Sequence, residues 1–507
     1  MVFPIVGGNQ SSGDIVTNSI MFNDGDRHYL TRDLSSPNTD KFTIAFWVKI
    51  SGARANVWSI GKRLTGETGD SFAMDVDLGT GTGTGRLSVS GYNGVSNANT
   101  LSVNTAEGSG SPQGLTMRDV SAWQHHVYAF DTGQGSAGDR FKWYVNGVLQ
   151  SGYNTTTTPS QNVDLFDSSG SHLRISKMTH DESRHMDGYI AEFYYVDGQQ
   201  YDATYFGEFD SDSGIWIPVE LDKGAGGSIT FGTNGCYLQF KETGTSQNAS
   251  GMGADSSGND NHLAIGTDNN ALTADNIMTD TPQNNFATWN PLQQNADDPL
   301  GGFGHGNLAV SEDSNADWST CAATLAVANG KWYWEVMIKN LSGSAMPGVI
   351  RQDFASTILT KSSSAYPGSE SGDLSISYRE NGTYYLNGGT DTGNTSFTSD
   401  DIIGVALDMD NGAIYFHKNG TYNDSGDPTS GASKTGAAYT GISAGEFYSP
   451  SISCSASDVD VLLNVGQVFR TNPPSSGNSD GNGHGNFEYA PPSGYFALCT
   501  KNIAEHG

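Results

Sequence analysis

The chain has 507 residues, more than one hydrophobic core usually holds, so two or three domains are expected. An apolar share of 36% together with 65 glycines excludes a wholly disordered chain and points to many turns and short strands. Against 25 basic residues stand 55 acidic ones, a formal charge of −30, which argues against nucleic acid as a partner and against anionic lipid or polysaccharide without a bridging cation.

No run of about 18 apolar residues occurs, so no membrane insertion is expected. The opening MVFPIVGGNQSSGD lacks the basic start and long apolar stretch of a secretory signal, so folding in a cytoplasm, or export by a route the sequence does not show, is expected. Cys236, Cys321, Cys454 and Cys499 show no C-x-x-C spacing and read as buried free thiols. With no amphipathic pattern of three helical turns, the expected class is all-β.

In chain order, residues 1–18 read as an extended N-terminal arm. Residues 19–205 carry a regular β-pattern: NSIMFNDGDRHYL, then FTIAFWVKI (42–50), AWQHHVYAFDT (122–132), RFKWYVNGVLQ (140–150) turning at Asn146-Gly147, and HMDGYIAEFYYVDG. Trp47 and Trp143 fall in these strand patterns and read as core. Residues 206–300 are rich in Asn, Asp, Gly and Thr; they read as an irregular but ordered connector with one hairpin around Asn234-Gly235, pinned by Phe286 and Trp289. Residues 301–507 hold a second β-pattern: GKWYWEVMI (330–338), DLSISYRENGTYYLNGG, GVALDMDNGAIYFHKNG (404–420), VLLNVGQVF and YAPPSGYFALC, with Trp332 as core. Asn411-Gly412 suits a two-residue type I′ turn, which would place Met409 opposite Ile414, Leu407 opposite Phe416 and Val405 opposite Lys418.

The first pattern, through FNDGD, FWVK, WQHHV, WYVNG and DGYIAE, resembles the laminin-G-like branch of the concanavalin A-like lectin/glucanase superfamily. The second, through KWYWEV, DDIIGVALDMDNG, YFHKNG, LNVGQ and PPSGYFAL, resembles the SPRY (B30.2) domain, whose members bind partners rather than catalyse. The resemblances imply two jelly-roll-like antiparallel β-sandwiches joined by an Asn/Asp-rich connector. The whole plan, with the junction FGEFDSDSGIWIP and the stretch TPQNNFATWNPL, is similar to virion proteins of marine bacteriophages. That similarity implies a non-enzymatic virion protein of tail-fibre or adhesin type, recognising a host-surface glycan or protein. It implies other virion proteins as partners, assembly as a homo-oligomer such as a trimer, and location in a virion made in the host cytoplasm and released by lysis. A structural head or tail decoration protein is the alternative reading, and a polysaccharide-degrading enzyme a third.

Candidate chemistry is sparse. Glu208, Asp210 and Asp212 in EFDSDSG would share a strand face, but the superfamily glucanase motif E-x-D-x-x-E has Ser213 where its last acid belongs, and the segment follows the last strand of the pattern. Asn23, Asp24, Asp26 and Asp187 offer hard oxygen ligands suited to Ca²⁺, which laminin-G-like domains often hold at a sandwich rim, although Asp-Gly pairs form turns first. His125 and His126, being adjacent on a strand, face opposite ways and cannot share a metal; one packed and one exposed is expected. The run GTGTGTGR departs from a phosphate-binding loop at its third glycine. Sugars are held by aromatic faces, and the loop aromatics Tyr92, Tyr153 and Tyr366 are the candidate ligand-binding residues.

Overall fold

A computed structural model describes residues 14–51, 54–62, 71–77, 86–93, 98–104, 119–151, 154–178, 185–266, 268–312, 317–360, 365–456, 458–467 and 477–507. Nearly all of its regular structure is strand, and the α-helices among the described residues are two short ones, Gln352–Thr360 and Thr500–His506. One compact unit ends at Gln283; the other runs from Asn284 to Gly507.

In the first unit, the apolar alternation of Lys41–Ile50 decides the layout. Phe42, Ile44, Phe46, Val48 and Ile50 face a second sheet and join Trp58, Tyr128, Trp143 and Ile190 in its core. The sheet that holds this strand runs Val148–Leu149, Phe141–Val145, Gln124–Asp131, Lys41–Ile50, Gly188–Asp197, Ser19–Phe22 and Ile277–Met278. The facing sheet runs Asn154–Thr157, Ala98–Asn104, Arg86–Asn93, Ser71–Asp77, Arg54–Gly61, His172–Ile175, Leu30–Asp33 and Ala264–Ile265. Two antiparallel sheets packed in this way make a β-sandwich.

Residues 206–283 do not form a separate connector. Cys236–Leu238 pairs with Gly188–Asp197, Ala264–Ile265 with Leu30–Asp33, and Ile277–Met278 with Ser19–Phe22. The expected hairpin around Asn234-Gly235 is absent, because Asn234 turns to Asp197, donating from its backbone at 3.1 Å and from Nδ2 at 2.9 Å. Phe206, Trp216, Phe231 and Tyr237 cover the far side of the first sheet, over Ala45, Trp47, Val127 and Tyr194. His125 and His126 do face opposite ways, yet both are buried, because this sheet is covered on both faces. Trp216 Nε1 donates to His125 Nδ1 at 3.1 Å, while His126 Nδ1 lies 2.9 Å from the Tyr128 hydroxyl. Of the expected arm, Val16 is buried and the backbone N–H groups of Ile15 and Val16 donate to Gln283 Oε1.

The second unit repeats the plan with a different strand order. One sheet runs Trp289–Gln294, Ser319–Ala323, Tyr448–Ser455, Ser344–Arg351, Ile376–Arg379, Thr383–Leu386 and Gly389–Thr392. The other runs Gly302–Gly304, Ala309–Glu312, Val459–Asn464, Lys331–Leu341, Ile402–Asp408, Ala413–Lys418 and Thr421–Tyr422, with Phe496–Ala497 parallel to Lys331–Leu341. Phe286, Trp289 and Trp332 are buried in its core, so the second unit begins well before residue 301. All four cysteines are buried and free.

Of the Asn146-Gly147 and Asn411-Gly412 turns, the first is the expected kind. Asn146 and Gly147 have φ of 45° and 77° and join Val145 to Val148 directly, as a type I′ turn requires. The 404–420 hairpin is different: Leu407 pairs with Ile414, Val405 with Phe416 and Ile403 with Lys418, two residues from the expected register. Asp408 is the cause. Its Oδ1 accepts the Asn411 backbone N–H at 2.9 Å and its Oδ2 accepts Asn411 Nδ2 at 2.8 Å, holding Met409–Gly412 as a four-residue loop in which Gly412 has φ 68°. The slip is by two, so the same side chains still face the core. A Cβ at Gly412 would come 2.5 Å from the Ile442 carbonyl oxygen. Gly412→Val is therefore expected to destabilise the second unit by about 2 kcal/mol or more in a denaturant melt, and an unchanged midpoint would contradict this loop geometry.

Candidate functional site

A candidate binding surface lies on the outer side of a sheet in the second unit. Along Ile376–Arg379 and Thr383–Leu386, Tyr378 and Tyr384 enter the core while Arg379 and Tyr385 stay partly exposed. Tyr366 and Trp318 come to them from flanking loops: Trp318 and Tyr366 have ring centroids 5.3 Å apart, and Tyr366 meets Tyr385 edge-on at 5.0 Å. The Arg379 guanidinium sits 5.3 Å from the Trp318 ring centroid. It is held by Glu380 Oε1 at 3.0 Å and Ser344 Oγ at 3.2 Å, while the Ser344 hydroxyl also donates to Glu380 at 3.0 Å. The result is a half-exposed aromatic platform with fixed donors and acceptors at its edge. Such a surface can stack a sugar ring or a peptide side chain and satisfy its polar groups.

The residues expected from sequence fare differently. Tyr366 is part of this platform; Trp318, Arg379 and Tyr385 were missed, although the alternation in SISYRENGTYYL would have put the last two on the outer face. Tyr92 has its backbone in the strand Arg86–Asn93, but its side chain lies outside the described residues, as do Tyr153 and the glycine run 79–85. Asn23, Asp24, Asp26 and Asp187 lie in one neighbourhood, yet their bonds are those of turns and bridges. Asp187 Oδ1 accepts the Asp24 backbone N–H at 2.8 Å, Asn23 Oδ1 accepts that of Gly25 at 3.0 Å, and Asp26 Oδ1 accepts Asn270 Nδ2 at 2.6 Å. Burial first, then the charges of Asp24 and Asp26, push the Asp187 carboxyl up to about 6, against the backbone bond that opposes them. Among the described residues no group of three or more His, Cys, Asp or Glu side chains is arranged to hold a metal. Asp210 accepts the Ser213 hydroxyl at 2.6 Å, capping the turn between Gly207–Phe209 and Trp216–Pro218, so Asp210 and Asp212 do not continue a strand face with Glu208.

The second unit is thus a two-sheet β-sandwich that carries a solvent-facing aromatic platform on one sheet. Within it, residues 331–463 match the family model described as the SPRY domain, a stretch that holds Tyr366, Arg379 and Tyr385. Among solved structures, the chain is similar to the SPRY domain of human HERC1 (22% identity, TM-score 0.26, covering 34% of this chain and 96% of that one). It is also similar to a human SPRY domain (17%, TM-score 0.22, 31% and 90%) and to a heptameric SAP-like pentraxin from Limulus polyphemus (14%, TM-score 0.27, 38% and 80%). No curated protein matches.

Glu335 and Glu192 are buried acids that lie outside the platform. In the second unit Glu335 accepts the backbone N–H groups of Glu488 and Tyr489 at 3.0 and 2.8 Å and the Tyr333 hydroxyl at 3.0 Å; burial outweighs these donors and pushes its carboxyl up to about 7. In the first unit Glu192 accepts the hydroxyls of Tyr194 and Tyr237, and burial likewise raises it to about 7. Both native values exceed the ordinary 4.5, so the folded state binds the extra protons. Their contribution is full below pH 4.5 and is lost as pH rises through 7. Glu192→Gln is expected to flatten that fall, since both tyrosines donate to Oε2 and the amide nitrogen can take the other position. Urea midpoints of parent and variant at pH 5 and pH 8 check it; equal slopes would contradict a neutral Glu192.

Proposed function

We propose that the chain is a non-enzymatic bacteriophage virion protein that recognises a host-surface glycan or protein. The observation that carries the reading is the Trp318–Tyr366–Tyr385 platform with Arg379 at its edge, of which Tyr366, Arg379 and Tyr385 fall in the SPRY stretch. The similarity of the whole plan to marine phage virion proteins, with a laminin-G-like first sandwich, supplies the biological setting. A charge of −30 makes simple attraction to an anionic cell surface an unsuitable driver. Recognition then rests on short-range stacking and hydrogen bonds, which salt screens little.

Adhesion of the purified chain to host cells and to immobilised surface glycans is expected to hold across a salt series. Trp318→Ala and Arg379→Ala are each expected to weaken it by about tenfold, roughly 1.4 kcal/mol, with folding intact. Adhesion that collapses as salt rises would replace stacking with charge attraction. Absence of adhesion, together with labelling of the chain on the head of intact particles, would favour a decoration role instead.

A further inference from the structure

In the first unit, Lys49 and Asp280 form the one ion pair among the described residues with both side chains no more than 1% exposed, Nζ lying 2.8 Å from Oδ2. Both groups sit on rigid supports. Lys49 lies in Lys41–Ile50, and Asp280 follows Ile277–Met278 in the same sheet, its carbonyl accepting the Ser19 hydroxyl at 2.6 Å. Trp123 Nε1 donates to the other carboxylate oxygen, Oδ1, at 2.9 Å, and the Tyr189 ring centroid is 5.5 Å from Nζ. Two full charges in such a place carry a desolvation cost that a neutral product escapes. An amine hydrogen-bonded to one carboxylate oxygen is also held about 3.5 Å from the carboxyl carbon, so that a small rotation of either side chain brings it within attack range.

We infer that Lys49 and Asp280 are the two halves of a self-formed amide cross-link. The ammonium passes a proton to Oδ2, leaving a neutral amine and a neutral carboxylic acid. The amine lone pair adds to the Asp280 carbon, forming the Nζ–Cγ bond, while the charge that develops on Oδ1 is met by the Trp123 N–H. The Cγ–Oδ2 bond then breaks, and Oδ2 leaves with its hydrogen and one from the nitrogen as water. Ammonium and carboxylate become one amide and one water, with no oxidant, reductant or outside reagent. Oδ1 becomes the amide oxygen and keeps its bond from Trp123. The cross-link would tie the last residues of the unit to its central sheet.

The intact mass of the full chain, purified folded and weighed under denaturing conditions, tests this. The expected mass is one water below that of the sequence, with a protease digest yielding a branched peptide that joins the Lys49 and Asp280 segments. Lys49→Ala and Asp280→Ala are each expected to restore the missing water. A folded parent at full sequence mass would overturn the inference. So would a water loss that survives Lys49→Ala, since that is a succinimide at an aspartate rather than a cross-link.

Discussion

A sheet that is apolar on both faces needs two covers, and the first unit is organised around that need. Lys41–Ile50 and Gly188–Asp197 are buried along nearly their whole length, with Phe46 on one side and Trp47 on the other. The facing sheet covers only the first side. Leaving Trp47, Val127 and Tyr194 in water would cost about 1.5–3 kcal/mol for each large side chain. Phe206, Trp216, Phe231 and Tyr237 supply the missing layer, and a segment of unpromising composition thereby becomes part of the core.

That layer is built without long strands, so its backbone groups find partners in side chains. Asp255 accepts from the backbone of Tyr237, Ser257 and Asn261, all at 2.8 Å. Asn261 Nδ2 returns to the carbonyls of Thr233 and Gly235 at 2.9 and 2.8 Å. Buried backbone polar groups must be paired, and short amide and carboxylate side chains do here what a ladder does elsewhere. The abundance of Asn and Asp in this stretch is thus a structural requirement as much as a surface property.

The aromatic platform draws on the same economy of alternation. In the strands that carry it, the inward tyrosines Tyr378 and Tyr384 fix the backbone by packing against Phe416, at 5.4 and 5.5 Å between ring centroids. The outward Arg379 and Tyr385 inherit that rigidity, and Glu380 and Ser344 hold the guanidinium in place. Side chains held in this way lose little freedom on making a further contact.

Strand alternation and turn chemistry made the all-β class, the buried tryptophans and the Asn146-Gly147 turn legible in the sequence, because each depends on residues close together in the chain. The SPRY segment was legible through its motifs. Four features came only from tertiary structure. The limits of the two units depended on which distant strands residues 206–300 would join. The register of the 404–420 hairpin was decided by the Asp408 side chain reaching into the loop. The platform and the meeting of Lys49 with Asp280 required folding to bring together residues tens to hundreds of positions apart. Local sequence fixes which way a side chain points; only the packing of whole sheets decides what it meets there.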